Sequence, residues 1–149
     1  MNDYSLIYEQ IKALVDNNLP FYTVLSNVSS ALNQMDDINW VGFYIVQDDT
    51  LYLGPFQGEV ACTIIPKGKG VCGTTFAKKE TIIVPNVNEF PGHIACSSKS
   101  KSEIVTPIIN NDEVIGVIDI DAPIYDRFHE EEKELLEKVA LLLSDIQLQ

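Results

Sequence analysis

Two helical stripes open the chain. Leu6, Ile7, Ile11 and Leu14 recur at helical spacing, and the breaker cluster Asp16-Asn17-Asn18 ends that pattern. Pro20 then stands where a helix accepts proline, at its first position, and Phe21, Val24, Leu25, Val28, Leu32 and Met35 form a second apolar stripe. Past Asp37 the period shortens. Trp40-Val41-Gly42-Phe43-Tyr44-Ile45-Val46 is aromatic and β-branched and predicts a strand, with Gln47-Asp48-Asp49-Thr50 as a turn into a partner strand at Leu51-Tyr52-Leu53. Further short strands are expected at Thr63–Ile65 and Thr81–Val84, with a Gly-rich turn, Gly68 to Gly73, and a short helix around Thr74–Lys79 between them.

Residues 86–101 have no clear period, and a loop of that length in a compact domain is usually functional or mobile. Glu103–Ile109 and Val114–Ile120 predict a hairpin across Asn110-Asn111-Asp112, and Leu135, Leu136, Val139, Leu142, Leu143 and Ile146 mark a closing helix. Helices, then strands around one short helix, then a helix: this order predicts an α+β fold with a mostly antiparallel sheet. The N- and C-terminal helices would cover one face, leaving the other for a ligand pocket under the long loop.

The chain has 149 residues, 46% of them hydrophobic and 21% charged, which fits one folded domain over residues 1–149 and excludes a disordered chain. No apolar run approaches a membrane span, and the N-terminus lacks the basic and apolar regions of a secretory signal, so a cytoplasmic protein is expected. The net charge of −12 argues against nucleic acid and against an anionic membrane surface. For most of the carboxylates, solubility accounts for it.

The three cysteines, Cys62, Cys72 and Cys96, do not fit a closed structural disulfide framework. Cys96 lies in the long loop, followed by Ser97, Ser98, Lys99, Ser100 and Lys101, a positive and hydroxyl-rich setting that would lower a thiol pKa. Cys72 near the start of the short helix has a similar claim to a thiolate, from the backbone N–H groups there. Asp119 and Asp121 share one face of their strand by alternation, and Glu103 opens the neighbouring arm. Three carboxylates can therefore converge, raising one another's pKa, although a strand running out into solvent would read the same way. Trp40 and Tyr44 also share a face, as an aromatic pocket wall or as plain core. Two motifs are weak. Gly68-Lys69-Gly70-Val71-Cys72-Gly73 matches a dinucleotide fingerprint without alternating βαβ units around it. His93 with the three cysteines could compose a zinc set, but without a knuckle spacing. His129, at the head of the last helix, is expected to be exposed.

From about Asp37 to Glu131 the sequence resembles the free methionine-(R)-sulfoxide reductases, small stand-alone GAF-domain enzymes. The carriers are Asp37-Ile38-Asn39-Trp40-Val41-Gly42-Phe43-Tyr44, Leu53-Gly54-Pro55-Phe56-Gln57-Gly58, Gly70-Val71-Cys72-Gly73-Thr74, Gly92-His93-Ile94-Ala95-Cys96, Ser102-Glu103-Ile104-Val105 and Gly116-Val117-Ile118-Asp119-Ile120-Asp121. The resemblance implies a GAF fold with Cys96 as catalytic cysteine, Cys62 as main resolving cysteine and Cys72 as accessory. It implies Glu103, Asp119 and Asp121 as carboxylates holding the substrate's ammonium and sulfoxide oxygen, and Trp40 and Tyr44 as the pocket wall. It further implies free methionine-(R)-sulfoxide as substrate, thioredoxin as reductant, a homodimer, and no cofactor or metal. The R epimer rests on the resemblance alone. The rival readings are a small-molecule-sensing GAF module and a cysteine redox switch without reductase activity.

Overall fold

Six segments of period two supply the strands β1 (Trp40–Gln47), β2 (Thr50–Gly58), β3 (Ile64–Pro66), β4 (Ile82–Val84), β5 (Ser102–Asn110) and β6 (Glu113–Ala122). In the computed structural model, which describes residues 3–94, 96 and 99–148, they form one sheet in the order β3-β2-β1-β6-β5-β4 with every pairing antiparallel. Two tight turns make the hairpins. Asp48 and Asp49, and again Asn111 and Asp112, hold positive φ between 51° and 65°, the backbone that a two-residue hairpin turn needs and that Asp and Asn tolerate better than most residues.

Alternation along the strands divides the core in two. Val41, Phe43, Ile45, Ile104, Ile108, Ile118 and Ile120 point to one face, where α1 (Tyr4–Leu14), α2 (Phe21–Leu32) and α4 (Glu130–Leu142) cover them. Trp40, Tyr44, Val105 and Val117 point to the other, where α3 (Gly70–Lys78) and Val87, Phe90 and Ile94 of the long loop lie. The expected layering, with terminal helices on one side and a pocket on the other, is the one observed. The helix starts are set by side chains: Asp3 accepts from the N–H groups of Ser5 and Leu6, and the Glu132 carboxylate accepts from the His129 N–H at 2.7 Å.

The local corrections are small and have clear causes. Leu6 belongs to the apolar stripe by spacing but is 67% exposed; α1 presents Ile7 and Ile11 to α2 and α4, and Leu6 falls just beyond that contact. Residues 70–73, expected as a turn, are the first turn of α3, because Gly70 at φ +64° lets the chain enter the helix directly. The long loop contains a short 3-10 turn, Val87–Glu89, anchored by the Val87 N–H on the Lys101 carbonyl. Among the described residues no helix is long and apolar enough to cross a membrane.

Candidate active site

The pocket-facing side of the two central strands carries the acidic cluster. In the β5–β6 register Glu103 lies opposite Asp121 and Val105 opposite Asp119, so one patch of the sheet holds all three carboxyls. They do not run out into solvent: Glu103 and Asp119 are buried and Asp121 is half-buried. Desolvation, reinforced by their mutual repulsion, pushes Glu103 and Asp121 well above the usual carboxylate range. Asp119 is raised too, by burial, but hydrogen bonds from Glu103 and Cys72 favour its charged form. The cluster therefore holds protons near neutral pH, with Asp119 the member best placed to carry charge. Its Oδ1 is buried without a hydrogen-bond partner among the described residues.

A stack of aromatic rings stands beside the carboxyls. Trp40 packs on Tyr44 at 6.0 Å and on Phe56 at 5.2 Å, both near-parallel. Gly42 makes this possible, since a Cβ there would stand 2.3 Å from the Phe56 Cβ and 2.8 Å from the Trp40 Cη2. Trp40 donates its indole N–H to the Glu59 carbonyl at 3.1 Å, and Tyr44 donates its hydroxyl to the Cys62 carbonyl at 2.9 Å. Core and pocket wall, posed as alternatives, are thus the same residues. Tyr44 also tethers the segment that carries Cys62.

Cys62 and Cys96 form a disulfide across 34 residues, with Cα atoms 5.4 Å apart, a separation ordinary for such a bond. The lysines expected to activate Cys96 have other partners: Lys99 pairs with Glu59 at 2.5 Å, and Lys101 lies over the Tyr125 ring. Ser97 and Ser98, expected beside it, lie outside the described residues. The surroundings of Cys72 work against its claim to a thiolate. The residue starts α3 as predicted, but it is buried against the carboxyls, and desolvation together with the neighbouring Asp119, Glu103 and Asp121 pushes its thiol well above the ordinary value. Proximity to a helix start is outweighed by three acidic neighbours.

These parts meet at one cavity of about 40 Å³, lined by the disulfide's Cys96, by Cys72, Trp40 and Tyr44, and by all three carboxyls. Sequence reasoning missed other walls: Ile94, Lys69 and the backbone of Gly70, where a Cβ would press on Ile94 at 3.2 Å. His93 also lines the cavity, with its imidazole held neutral by burial and Nδ1 unpartnered among the described residues. The Cys₃His zinc set is not assembled, because the disulfide takes two of its thiols. The glycine-rich match is no dinucleotide site either, since the sheet beside it is antiparallel. His129 is exposed, as expected.

The GAF domain family matches residues 20–145. The chain is 51% identical over 142 residues to "Free methionine-R-sulfoxide reductase" of Saccharomyces cerevisiae, covering 89% of this chain and 79% of that protein. Among solved structures it is similar to fRMsr of Staphylococcus aureus in its reduced form, with 48% identity, a TM-score of 0.93, and coverage of 100% of this chain and 97% of that one. It is also similar to the free methionine-R-sulfoxide reductase of Neisseria meningitidis in complex with its substrate, with 39% identity, a TM-score of 0.91, and coverage of 97% and 90%.

Proposed function

We propose a function from one premise: the chain belongs to the GAF family and, within it, to the free methionine-R-sulfoxide reductases. The protein reduces free L-methionine-(R)-sulfoxide to L-methionine. The observation that carries this reading is the junction, in one cavity, of a Cys62–Cys96 disulfide with a cluster of three carboxyls in which Glu103 and Asp121 hold protons and Asp119 is best placed to carry charge.

Each part has a task. Cys96, freed as a thiolate, attacks the sulfoxide sulfur. The sulfur–oxygen bond breaks as a carboxylic acid of the cluster, Glu103 or Asp121, gives its proton to the departing oxygen. The oxygen passes to Cys96 as a sulfenic acid, and the substrate leaves as the thioether. The Cys62 thiol then displaces that oxygen as water and closes the disulfide, so two electrons leave the protein and two enter the substrate. The disulfide form is the end state of one turnover. An external dithiol, for which we propose thioredoxin, restores the thiols by exchange.

The pocket also explains a preference for the free amino acid. Asp119 and its neighbours offer negative charge to an α-ammonium, which a methionine inside a peptide lacks. Trp40 and Tyr44 offer a flat apolar wall to the methyl and methylene groups. For Cys72, whose thiol is held protonated beside Asp119, the role we propose is that of an accessory thiol and not of the attacking group. We further propose a single GAF domain over residues 1–149 that works as a homodimer in the cytoplasm.

The test uses reduced protein, a thioredoxin system and NADPH, with the R and S epimers of free methionine sulfoxide offered separately. NADPH loss with R alone, abolished by Cys96→Ser, is expected. No loss with either epimer, from a protein that still forms the disulfide with peroxide, would leave a redox switch or a sensor in its place.

A further inference from the structure

We propose that Cys72, Glu103 and Asp119 form a binding site for a borderline-soft divalent cation, zinc above all, while the Cys62–Cys96 disulfide is closed. The thiol sulfur and one oxygen of each carboxyl all lie within 4.8 Å of one another. They come from three different elements, α3, β5 and β6, so packing holds them in place. A tetrahedral zinc ion needs ligands at about 2.0–2.3 Å, which sets ligand atoms roughly 3.3–3.8 Å apart, and a small adjustment of buried side chains reaches that.

A second observation points to a ligand independently. Asp119 is 5% exposed, lines the cavity, and keeps Oδ1 without a hydrogen-bond partner among the described residues. A buried acceptor of that kind is costly unless a donor or a cation meets it. The space is also the right size. A single water needs roughly 10–15 Å³, so a cavity of about 40 Å³ takes an ion with a water as fourth ligand. The donor set chooses the ion. Magnesium and calcium take oxygen alone, whereas one thiolate with two carboxylates suits zinc. On binding, the Cys72 sulfur and the Glu103 carboxyl bond to the metal in their deprotonated forms, and both protons leave to the buffer.

The disulfide makes the experiment clean, because Cys72 is then the one free thiol of the chain. Full-length oxidised protein is titrated with Cd²⁺, whose thiolate complex absorbs in the near ultraviolet, and Zn²⁺ is then added to displace it. One equivalent of metal with a thiolate charge-transfer band is expected. The band should vanish in Cys72→Ser, and binding should weaken at least tenfold in Glu103→Gln and in Asp119→Asn, with circular dichroism confirming that each variant is folded. No band in the wild type would overturn the proposal, and so would a band whose titration is unchanged by both carboxyl substitutions. Binding of the metal stands apart from the reductase reading. It is read on the oxidised protein without any turnover, so failure of either is seen separately.

Discussion

Arg127→Met should lower the stability of the protein by about 3 kcal/mol while leaving the pocket intact. The Arg127 guanidinium meets the Glu132 carboxylate at 3.2 Å, with side chains only 12% and 7% exposed. It also donates to the Tyr4 hydroxyl at 3.2 Å and twice to the Asp36 carbonyl, at 2.9 and 3.1 Å, while Tyr4 donates to Glu132 at 2.6 Å. One side chain thus ties α1 and the turn before β1 to the start of α4. Removing one partner of a buried pair costs about 3–5 kcal/mol, and the lower end applies because Arg127 keeps an edge at the surface. At roughly 2–4 °C per kcal/mol for a chain of this size, the melting temperature should fall by about 6–12 °C.

The pH dependence tests the cause. Burial works against the Glu132 charge, but hydrogen bonds from Tyr4, from the His129 N–H and from Arg127 outweigh it and hold the carboxyl below its ordinary value. A depressed carboxyl contributes stability above its unfolded pKa and loses it as pH falls through the folded value. The gap between wild type and variant should therefore be widest near pH 7 and narrow below about pH 4. The pocket carboxyls have the opposite sign, but they are present in both proteins and cancel in the difference. Urea unfolding followed by circular dichroism at several pH values measures the gap. A loss under about 1 kcal/mol at neutral pH, or a gap that does not narrow in acid, would refute the argument.

Glu103→Gln should stabilise the fold at neutral pH by about 0.5–2 kcal/mol. The raised carboxyl contributes stability in full only below its unfolded pKa and loses it as pH rises toward the folded value; calorimetry at pH 7 would show the gain alongside a loss of reductase turnover. Gly42→Ala drives a methyl between Phe56 and Trp40 and should cost about 1–3 kcal/mol, with a raised KM for the sulfoxide in the coupled assay. Tyr44→Phe removes the tether on the Cys62 carbonyl. A loss of about 1 kcal/mol in placing Cys62 should slow disulfide closure roughly fivefold, read by quenched single-turnover mass spectrometry.

Much of this molecule is local and therefore readable along the chain. Alternation places Asp119, Asp121 and Val117 on one face of β6 and Ile118 and Ile120 on the other, whatever lies around them. The pairs Asp48-Asp49 and Asn111-Asp112 announce their hairpin turns by chemistry that acts within four residues. The resemblance, carried by motifs from Asp37 to Asp121, brought the cysteines and carboxyls forward as one set before any distance was known. What the chain could not state is what surrounds each group, because desolvation and charge act through space. Cys72 sits at a helix start, which favours a thiolate, and only the fold sets it against Asp119 and Glu103, which forbid one. Lys99 and Lys101 follow Cys96 in sequence, yet Glu59 and Tyr125, distant along the chain, take them up. The Arg127–Glu132–Tyr4 knot and the tether from Tyr44 to the Cys62 carbonyl likewise join residues far apart in sequence, and packing alone decided that they meet.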